Sequence, residues 1–251
     1  VTPDPRFLYL GPKHREALAS LVYGTESNRG FLAMIAKPGM GKTSLLYQYL
    51  EGLRGKARTA FVFRTDCDSR EFIRHVLIDL GMDVSGKDLP AMHDMLNRLL
   101  MEEMNAGRRF VLVIDEASLL RLDVFSELHT ITQFDTDSKP VLPIILAGQN
   151  NLIDNLMFRQ SRSLASRVVA RAHLEALTQD EMAMYLTHHL EIAGVKQNLF
   201  TEQAVTAIHQ GSGGLLRRAN NLARGSLIAA ATEKCNIVAA EHVRMASTEI
   251  I

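Results

Sequence analysis

The sequence predicts an α/β fold, a parallel sheet flanked by helices, followed by a small all-helical domain. Two continuous apolar runs, at 110–114 and 141–147, have the length and composition of strands that are buried on both faces. A third apolar run, at 31–35, leads through a glycine-rich turn into a helical pattern. After residue 174 the strand patterns give way to helical ones, which predicts a core domain at 1–173 and a helical domain at 174–251.

The composition is that of a globular protein, with 47% hydrophobic and 22% charged residues among 251. The formal net charge of zero argues neither for nor against a nucleic-acid partner, since a local basic patch is enough for binding. No apolar run is long enough to span a membrane. Cys67 and Cys235 have no partner at a metal-ligand spacing, so we expect a reducing, cytoplasmic location. Because the chain begins at Val1, we expect a piece of a longer protein, which could place it on the inner face of a membrane.

The chain opens with a proline-rich segment at 1–12 that we expect to be extended, and a helix follows from His14 to Tyr23. A polar loop is predicted at 24–30, before the first strand. Further strands are predicted at 58–63 and 168–172, which gives a five-stranded parallel sheet. Helices are predicted at about 70–80, 90–105 and 119–133 between the strands.

The glycine-rich turn at 36–43 reads Ala-Lys-Pro-Gly-Met-Gly-Lys-Thr and matches the phosphate-binding P-loop (Walker A) except at its first position, where Ala36 replaces glycine. Backbone N–H groups of such a turn surround phosphate oxygens, the lysine reaches the outer phosphates, and the hydroxyl holds Mg²⁺. The alternative is an ordinary turn with a chance Gly-Lys-Thr. The predicted nucleotide-binding segment consists of Pro38, Gly39, Met40, Gly41, Lys42, Thr43 and Ser44.

Two acids, Asp115 and Glu116, follow the buried strand at 110–114. About seventy residues after a P-loop, this pattern is typical of a Walker B strand, in which the first carboxylate holds the metal shell and the second orients and activates the attacking water. The alternative is a strand that ends in a helix cap. A second acidic pair, Asp66 and Asp68, is interpreted as a helix cap rather than a metal site.

Gln149 and Asn150 follow the next strand, where the terminal phosphate of a bound nucleotide is expected. Gln149 is the predicted sensor of that phosphate, since Asn150 is also explained as a cap of the next helix.

Segment 158–172 carries four arginines and no acid: Arg159, Arg162, Arg167 and Arg171. The planar guanidinium suits phosphate, and the alternative is a solvated basic face. In the predicted helical domain, Thr178 and Glu181 have the spacing of a capping box that opens the first helix.

Taken together, these features resemble an AAA+ ATPase, and more narrowly the ExeA-like family, the general secretion pathway protein A ATPases. The resemblance covers nearly the whole chain, and the segments that carry it are 3–10, 14–18, 23–24, 115–117, 147–149, 164–168 and 214–220.

This resemblance implies ATP and Mg²⁺ as ligands and a five-stranded core with a helical lid. It implies that Arg217 is a lid arginine that touches the bound nucleotide. It also implies an arginine finger that acts on a neighbouring subunit, so that a ring or filament is expected. By position this finger is Arg167, and Arg159 and Arg162 stay open as alternatives. Ala36, Leu216 and Ser118 depart from the family pattern.

Three roles remain open for the predicted ATPase. The first is a motor or switch in envelope export that acts on a protein partner. The second is a DNA-binding ATPase that assists transposition, whose affinity for DNA falls steeply with salt. The third is a switch in which the bound nucleotide only gates a partner.

Overall fold

The computed structural model describes residues 5–27, 30–132, 142–159 and 161–249. The chain divides into two compact units. The sheet unit consists of residues 15–36 and 42–174, and the helical unit of residues 1–14, 37–41 and 175–251. By compactness, the loop 37–41 and the first fourteen residues group with the C-terminal helices. The division of the chain into domains at 173/174, which was predicted from the sequence, stays a prediction.

The sheet unit contains a five-stranded, wholly parallel sheet in the order β2-β3-β4-β1-β5. This confirms the predicted α/β class. The strands are β1 (Phe31–Ala36), β2 (Ala57–Val62), β3 (Arg109–Ile114), β4 (Ile144–Gly148) and β5 (Val168–Leu174). Strands β1 and β4 are buried along their whole length, as their continuous apolar sequences predict.

Helices connect the strands in the right order for a parallel sheet, in which every crossover needs a dozen or more residues. Helix α1 (Pro12–Glu26) precedes β1, and the connecting helices are α2 (Lys42–Leu53), α3 (Ser69–Asp79), α4 (Leu89–Asn105), α5 (Leu122–Ile131), α6 (Asn151–Met157) and α7 (Arg162–Ala165). Asp68 caps α3 by accepting a hydrogen bond from the Glu71 backbone N–H at 2.9 Å, which agrees with its interpretation as a cap.

Helices α8 (Gln179–Ile192), α9 (Glu202–Ser212), α10 (Leu216–Thr232) and α11 (Ala240–Glu249) form the bulk of the helical unit. The capping box of α8 is present. Thr178 donates its backbone N–H to the Glu181 carboxylate at 2.8 Å, and its hydroxyl accepts from the Glu181 N–H at 3.3 Å.

Two local predictions differ from the structure in where the helix ends or begins. The predicted polar loop at 24–30 is helical as far as Glu26, because Gly24 lies inside α1 where the helix passes close to β1. The predicted helix at 119–133 begins with a 3-10 turn at Ala117–Leu119 and resumes as α5. Residues 1–4 of the predicted arm and Val141 of the predicted strand lie outside the described residues.

Gly24 provides a direct test of this close packing. A Cβ at position 24 would lie 2.3 Å from Leu32 Cδ2, in a buried part of the core. We expect Gly24→Ala to lower the free energy of unfolding by about 1–3 kcal/mol through overpacking. The matched control is Gly52→Ala in α2, where a Cβ meets nothing within 4 Å. That change is expected to raise the free energy of unfolding by about 0.5–1 kcal/mol through helix propensity. Urea denaturation of both variants checks the pair, and equal effects would contradict the proposed packing.

Candidate nucleotide-binding site

The carboxyl ends of three neighbouring strands carry the predicted catalytic residues of the sheet unit. Strand β1 lies next to β4, with Ile35 paired with Gly148, and β4 lies next to β3, with Leu146 paired with Ile114. Parallel strands end at the same edge of a sheet, so the segments that follow β1, β3 and β4 share that edge. Lys42, Asp115, Glu116 and Gln149 all belong to these segments.

Lys42 begins α2 and is only 5% exposed. Its Nζ donates to the carbonyl oxygen of Ala36, the last residue of β1, at 3.3 Å. An ammonium has three N–H donors, and within the described residues Ala36 supplies the one acceptor. The other two N–H donors of the Lys42 ammonium are therefore available to an anion. An anionic partner would also offset the cost of burying the positive charge.

Thr43 and Asp115 are joined directly. The Thr43 hydroxyl donates to Asp115 Oδ2 at 2.5 Å, across 72 residues of sequence. Asp115 is 3% exposed, and its second oxygen, Oδ1, accepts from the Glu116 N–H at 2.9 Å. This contact brings the hydroxyl of the glycine-rich motif and the first acid of the β3 strand together, as the metal site predicted from the sequence requires.

Glu116 has a left-handed backbone, with φ 51° and ψ 36°. A non-glycine residue in this region carries strain of about 1 kcal/mol or more and is held there by its surroundings. Here the Thr65 hydroxyl donates to the Glu116 carbonyl at 3.1 Å, and the Glu116 N–H donates to Asp115. The conformation turns the chain sharply after Asp115, and Glu116 remains partly exposed, as a group that must reach a substrate would be.

Ser118, one of the departures from the family pattern, fixes the end of β4. Its hydroxyl accepts from the Gln149 N–H at 3.1 Å, and its carbonyl accepts from Asn155 Nδ2 at 3.0 Å. Gly148 packs closely beside it, since a Cβ there would lie 3.0 Å from the Ser118 nitrogen. Ser118 therefore positions the backbone of Gln149, the predicted sensor.

Arg167 lies at the amino ends of the strands, opposite the carboxyl ends that carry Lys42 and Asp115. It immediately precedes β5, and its carbonyl accepts from the N–H of Phe31, the first residue of β1, at 3.3 Å. The six residues of β1 separate it from Ala36, a length of roughly 20 Å. Its guanidinium donates to the Thr132 hydroxyl at 3.4 Å. Arg159, Arg162 and Arg171 are exposed, as is Arg167.

The loop Lys37–Gly41 packs within the helical unit. Gly39 and Gly41 have positive φ values of 80° and 82°, a conformation that favours glycine. The first turn of α10 lies against Gly39, because the Arg217 N–H donates to the Gly39 carbonyl at 3.0 Å. A Cβ on Gly39 would lie 2.7 Å from Arg217 Cβ. The predicted lid arginine is thus in contact with the glycine-rich loop through its backbone.

His14 holds the same loop from another side. It is 1% exposed, and its Nε2 hydrogen-bonds the Met40 carbonyl at 2.9 Å. A carbonyl accepts only, so Nε2 is the protonated nitrogen and the imidazole need not be charged. Burial lowers the pKa of His14, against smaller opposing contributions from the Met40 hydrogen bond and from Glu181.

Three comparisons identify the fold and the family. A model of the family described as "AAA domain" matches residues 25–156, more than half of the chain. The chain belongs to the AAA domain family. This AAA domain protein is 30% identical, over its whole length, to "General secretion pathway protein A" of Aeromonas hydrophila, and it spans 46% of that protein.

Solved structures of other proteins share its fold. The chain superposes on Cdc6p from Pyrobaculum aerophilum with a TM-score of 0.72 and 19% identity, covering 98% of this chain and 70% of the other. The ORC2 protein of Aeropyrum pernix gives 0.70 and 14%, covering 99% and 72%. The RuvB Holliday junction branch migration motor of Thermotoga maritima gives 0.56 and 16%, covering 95% and 68%.

Sequence reasoning missed the residues that position the predicted ones. His14, Thr65 and Ser118 each bind the backbone of the glycine-rich loop, of Glu116 or of Gln149. Ser118 and Thr65 carried a usable signal, since both are polar residues just after a strand. His14 had none, because its contact with Met40 spans 26 residues.

Buried His14 and half-buried His189 predict a stability that depends on pH. Burial lowers the pKa of His14, and burial and then the neighbouring His188 lower the pKa of His189, below the usual value of about 6.5. The unfolded chain then binds more protons than the folded chain. The contribution of these neutral histidines to the free energy of unfolding is fully present above pH about 6.5. It is lost as the pH falls through the lowered pKa values of the folded chain.

Urea denaturation between pH 5 and 8 measures this dependence. His14→Gln is the matched variant, since its amide can donate to Met40 without titrating. We expect a weaker pH dependence in His14→Gln than in the unchanged chain. Superimposable profiles would show that His14 is not one of the titrating groups.

Proposed function

We propose that this AAA domain protein binds ATP with Mg²⁺ and hydrolyses the terminal phosphoanhydride bond. The observation that carries the proposal is the Thr43–Asp115 hydrogen bond, which joins the glycine-rich motif to the acidic strand end. Next to it lies Lys42, whose buried ammonium has donors to spare. We assign to Lys42, Thr43 and Asp115 the roles in phosphate and metal binding that their residue types and motif positions predict.

The donor atoms suit Mg²⁺, which prefers oxygen ligands in octahedral geometry. The Thr43 hydroxyl would bind the ion directly, and the Asp115 carboxylate would bind it or one of its waters. When bound, Mg²⁺ supplies positive charge to the phosphate oxygens. The N–H groups of residues 38–44 and the Lys42 ammonium would bind the same phosphates and neutralise their charge.

The remaining proposed roles concern the attacking water and the negative charge on the phosphate oxygens in the transition state. Glu116 would accept the proton of the water through its carboxylate, and Gln149 would contact the terminal phosphate. Arg217 would contact the nucleotide from the first turn of α10, which already touches Gly39. Positioning and charge stabilisation carry phosphoryl transfer, so little covalent chemistry is asked of the protein.

Arg167 is proposed to act on the site of a neighbouring subunit. Its place beside the first residue of β1, the far end of that strand from Lys42, supports this role. An arginine supplied in this way makes hydrolysis depend on self-association in a ring or filament. We propose that such an assembly remodels a protein partner in envelope export, as the similarity to "General secretion pathway protein A" suggests.

Binding of a fluorescent ATP analogue tests the nucleotide site. We expect saturable binding that is lost in Lys42→Ala. Thr43→Val should weaken binding only when Mg²⁺ is present, because it removes a metal ligand and no phosphate contact. Binding that is unchanged in Lys42→Ala would contradict the proposed site.

A DNA-dependent role is the second candidate, favoured by one observation. Four exposed arginines lie within residues 158–172 without an acid among them, which gives a basic surface for phosphates. Duplex DNA that stimulates hydrolysis, with an affinity that falls steeply with salt, would favour this role. Hydrolysis that ignores DNA favours the export role, and slow hydrolysis with nucleotide-dependent partner binding favours a switch.

None of the helices among the described residues is both long and apolar enough to cross a bilayer.

A further inference from the structure

A series of hydrogen bonds joins Gln149, which follows β4, to Arg167, which precedes β5, inside the sheet unit. Ser118 begins the series, because its hydroxyl accepts from the Gln149 N–H at 3.1 Å and its carbonyl accepts from Asn155 Nδ2 at 3.0 Å. Asn155 belongs to α6, in which the Leu152 N–H also donates to the Gln149 carbonyl at 2.9 Å. Helix α6 is therefore fixed to the segment at which the terminal phosphate is expected.

Ser161 connects the end of α6 to the start of α7. The last four carbonyls of a helix lack a partner within that helix. One of these carbonyls in α6 belongs to Asn155, and it accepts a hydrogen bond from the Ser161 hydroxyl, with the Phe158 carbonyl as a longer second acceptor at 3.3 Å. Ser161 is fully buried, so its hydroxyl needs such a partner within the fold. Its own carbonyl accepts from the N–H groups of Leu164 and Ala165, both at 3.0 Å, and thereby starts α7.

Helix α7 holds the backbone of Arg167. The Arg167 N–H donates to the Leu164 carbonyl at 2.9 Å, and the Leu164 side chain is fully buried in the core of the sheet unit. The Arg167 carbonyl accepts from the N–H of Phe31, so the backbone is bonded on both sides of the residue. The side chain is exposed, and its Nη1 donates to the Thr132 hydroxyl only at 3.4 Å. The fold thus fixes the backbone of Arg167 and leaves the guanidinium at the surface.

We propose that Asn155 and Ser161 are positioning residues that relay the occupation of a chain's own ATP site to Arg167. In the proposed function, on which this inference rests, Gln149 contacts the terminal phosphate of its own chain and Arg167 acts on a neighbour. A phosphate that draws Gln149 toward it would move the end of β4 and α6 together, because Ser118 is bonded to both and packed segments transmit such shifts. The Ser161 hydroxyl would pass the shift to α7 and so to the arginine. Each chain would then offer its arginine in the right place only while its own site holds ATP.

The alternative is that these bonds only stabilise the connection between α6 and α7. The two descriptions differ in which chain of an assembly is affected when a bond is lost. A purely structural bond matters in every chain that lacks it, whether that chain hydrolyses ATP or supplies the arginine. A relay through Ser161 matters only in the chain that supplies the arginine, because Gln149 keeps its bond to Ser118.

The experiment places Ser161→Ala on one chain of a mixture at a time. The supplying chain carries Glu116→Gln, so it offers Arg167 without hydrolysing ATP. The hydrolysing chain carries Arg167→Ala and depends on the arginine of its neighbour. We expect Ser161→Ala on the supplying chain to lower the regained rate by about 10²-fold, the order of loss that misplacing a catalytic group by about 1 Å causes. The KM for ATP should stay the same, because the site of the hydrolysing chain is intact.

On the hydrolysing chain, Ser161→Ala should leave the regained rate unchanged, and that result also shows that the variant folds. Asn155→Ala should repeat both results, since it removes the bond from Nδ2 to the Ser118 carbonyl. Ser163→Ala and Asn151→Ala are the matched controls, because both residues are exposed in the same two helices. Neither control should alter the rate on either chain.

A second comparison tests the dependence on the chain's own nucleotide. Lys42→Ala on the supplying chain removes ATP from that chain, and it should lower the regained rate as Ser161→Ala does. Both changes on the same chain should lower the rate no further than either alone, because they interrupt one series of contacts.

An equal loss from Ser161→Ala on both chains, or no loss on either, would overturn the relay. Losses from Ser161→Ala and Lys42→Ala that multiply would overturn it too, since they would show two independent effects. Failure of the proposed function has a different signature. In that case the unchanged chain itself hydrolyses ATP no faster than Glu116→Gln, and the relay falls with it.

Discussion

Glu116→Gln is expected to lower the rate of ATP hydrolysis by about 10²–10⁴-fold while ATP binding is retained, because the change removes only the proposed proton acceptor. Glutamine keeps the size of the side chain, and the Glu116 N–H and carbonyl keep their bonds to Asp115 and Thr65. Steady-state phosphate release measures the rate, and binding of a fluorescent ATP analogue measures the affinity.

Glu116→Gly separates the chemistry from the backbone. Glycine adopts a φ of 51° without strain, so this variant should be no less stable than the unchanged chain. It should be as inactive as Glu116→Gln. Hydrolysis that survives either change would show that another group activates the water.

Arg167→Ala is expected to lower the rate of hydrolysis by about 10³-fold or more, the effect of removing an arginine finger. The strand β1 separates this residue from the phosphate-binding end of its own chain, by roughly 20 Å, so the loss should concern the neighbouring site. ATP binding by each chain should change little. Arg171→Ala is the matched control, since Arg171 is also exposed and lies on β5.

Mixing two inactive variants tests the direction of this effect. Arg167→Ala keeps its own Glu116, and Glu116→Gln keeps the arginine for its neighbour. An equimolar mixture should regain activity, because some sites then combine an intact Glu116 with an intact Arg167. No recovery on mixing would contradict action between subunits. Activity lost in Arg159→Ala or Arg162→Ala, and kept in Arg167→Ala, would move the finger to that residue.

Much of the fold follows from local sequence patterns. Apolar runs bounded by polar residues predicted three of the five strands, shorter patterns at 58–63 and 168–172 predicted the other two, and the parallel sheet confirms all five. The errors arose where tertiary contact overrides a local signal. Gly24 signals a loop by composition, yet it belongs to a helix, where a Cβ would lie 2.3 Å from the side chain of Leu32 in β1. The break before α5 follows from the turn imposed by Glu116, whose left-handed conformation no local pattern announces.

In the candidate site, too, local patterns predicted some features and long-range contacts set the others. Lys42, Thr43, Asp115 and Glu116 were predicted because their spacing from strand ends reflects a mechanism. Their supporting contacts were not predicted, because His14–Met40 and Thr65–Glu116 join residues far apart in sequence. Thr65 is marked only as a polar residue after a strand, and neither pair has a short-range pattern that identifies both partners, so only the folded chain reveals the contacts.

The most direct test of the proposed ATPase is steady-state hydrolysis measured against protein concentration, with Glu116→Gln as the blank. We predict a specific activity that rises with concentration, as subunits supply Arg167 to one another, and a blank that stays flat. Activity no greater than the blank at every concentration, with or without DNA, would contradict the assignment of Glu116 and of the whole site to hydrolysis.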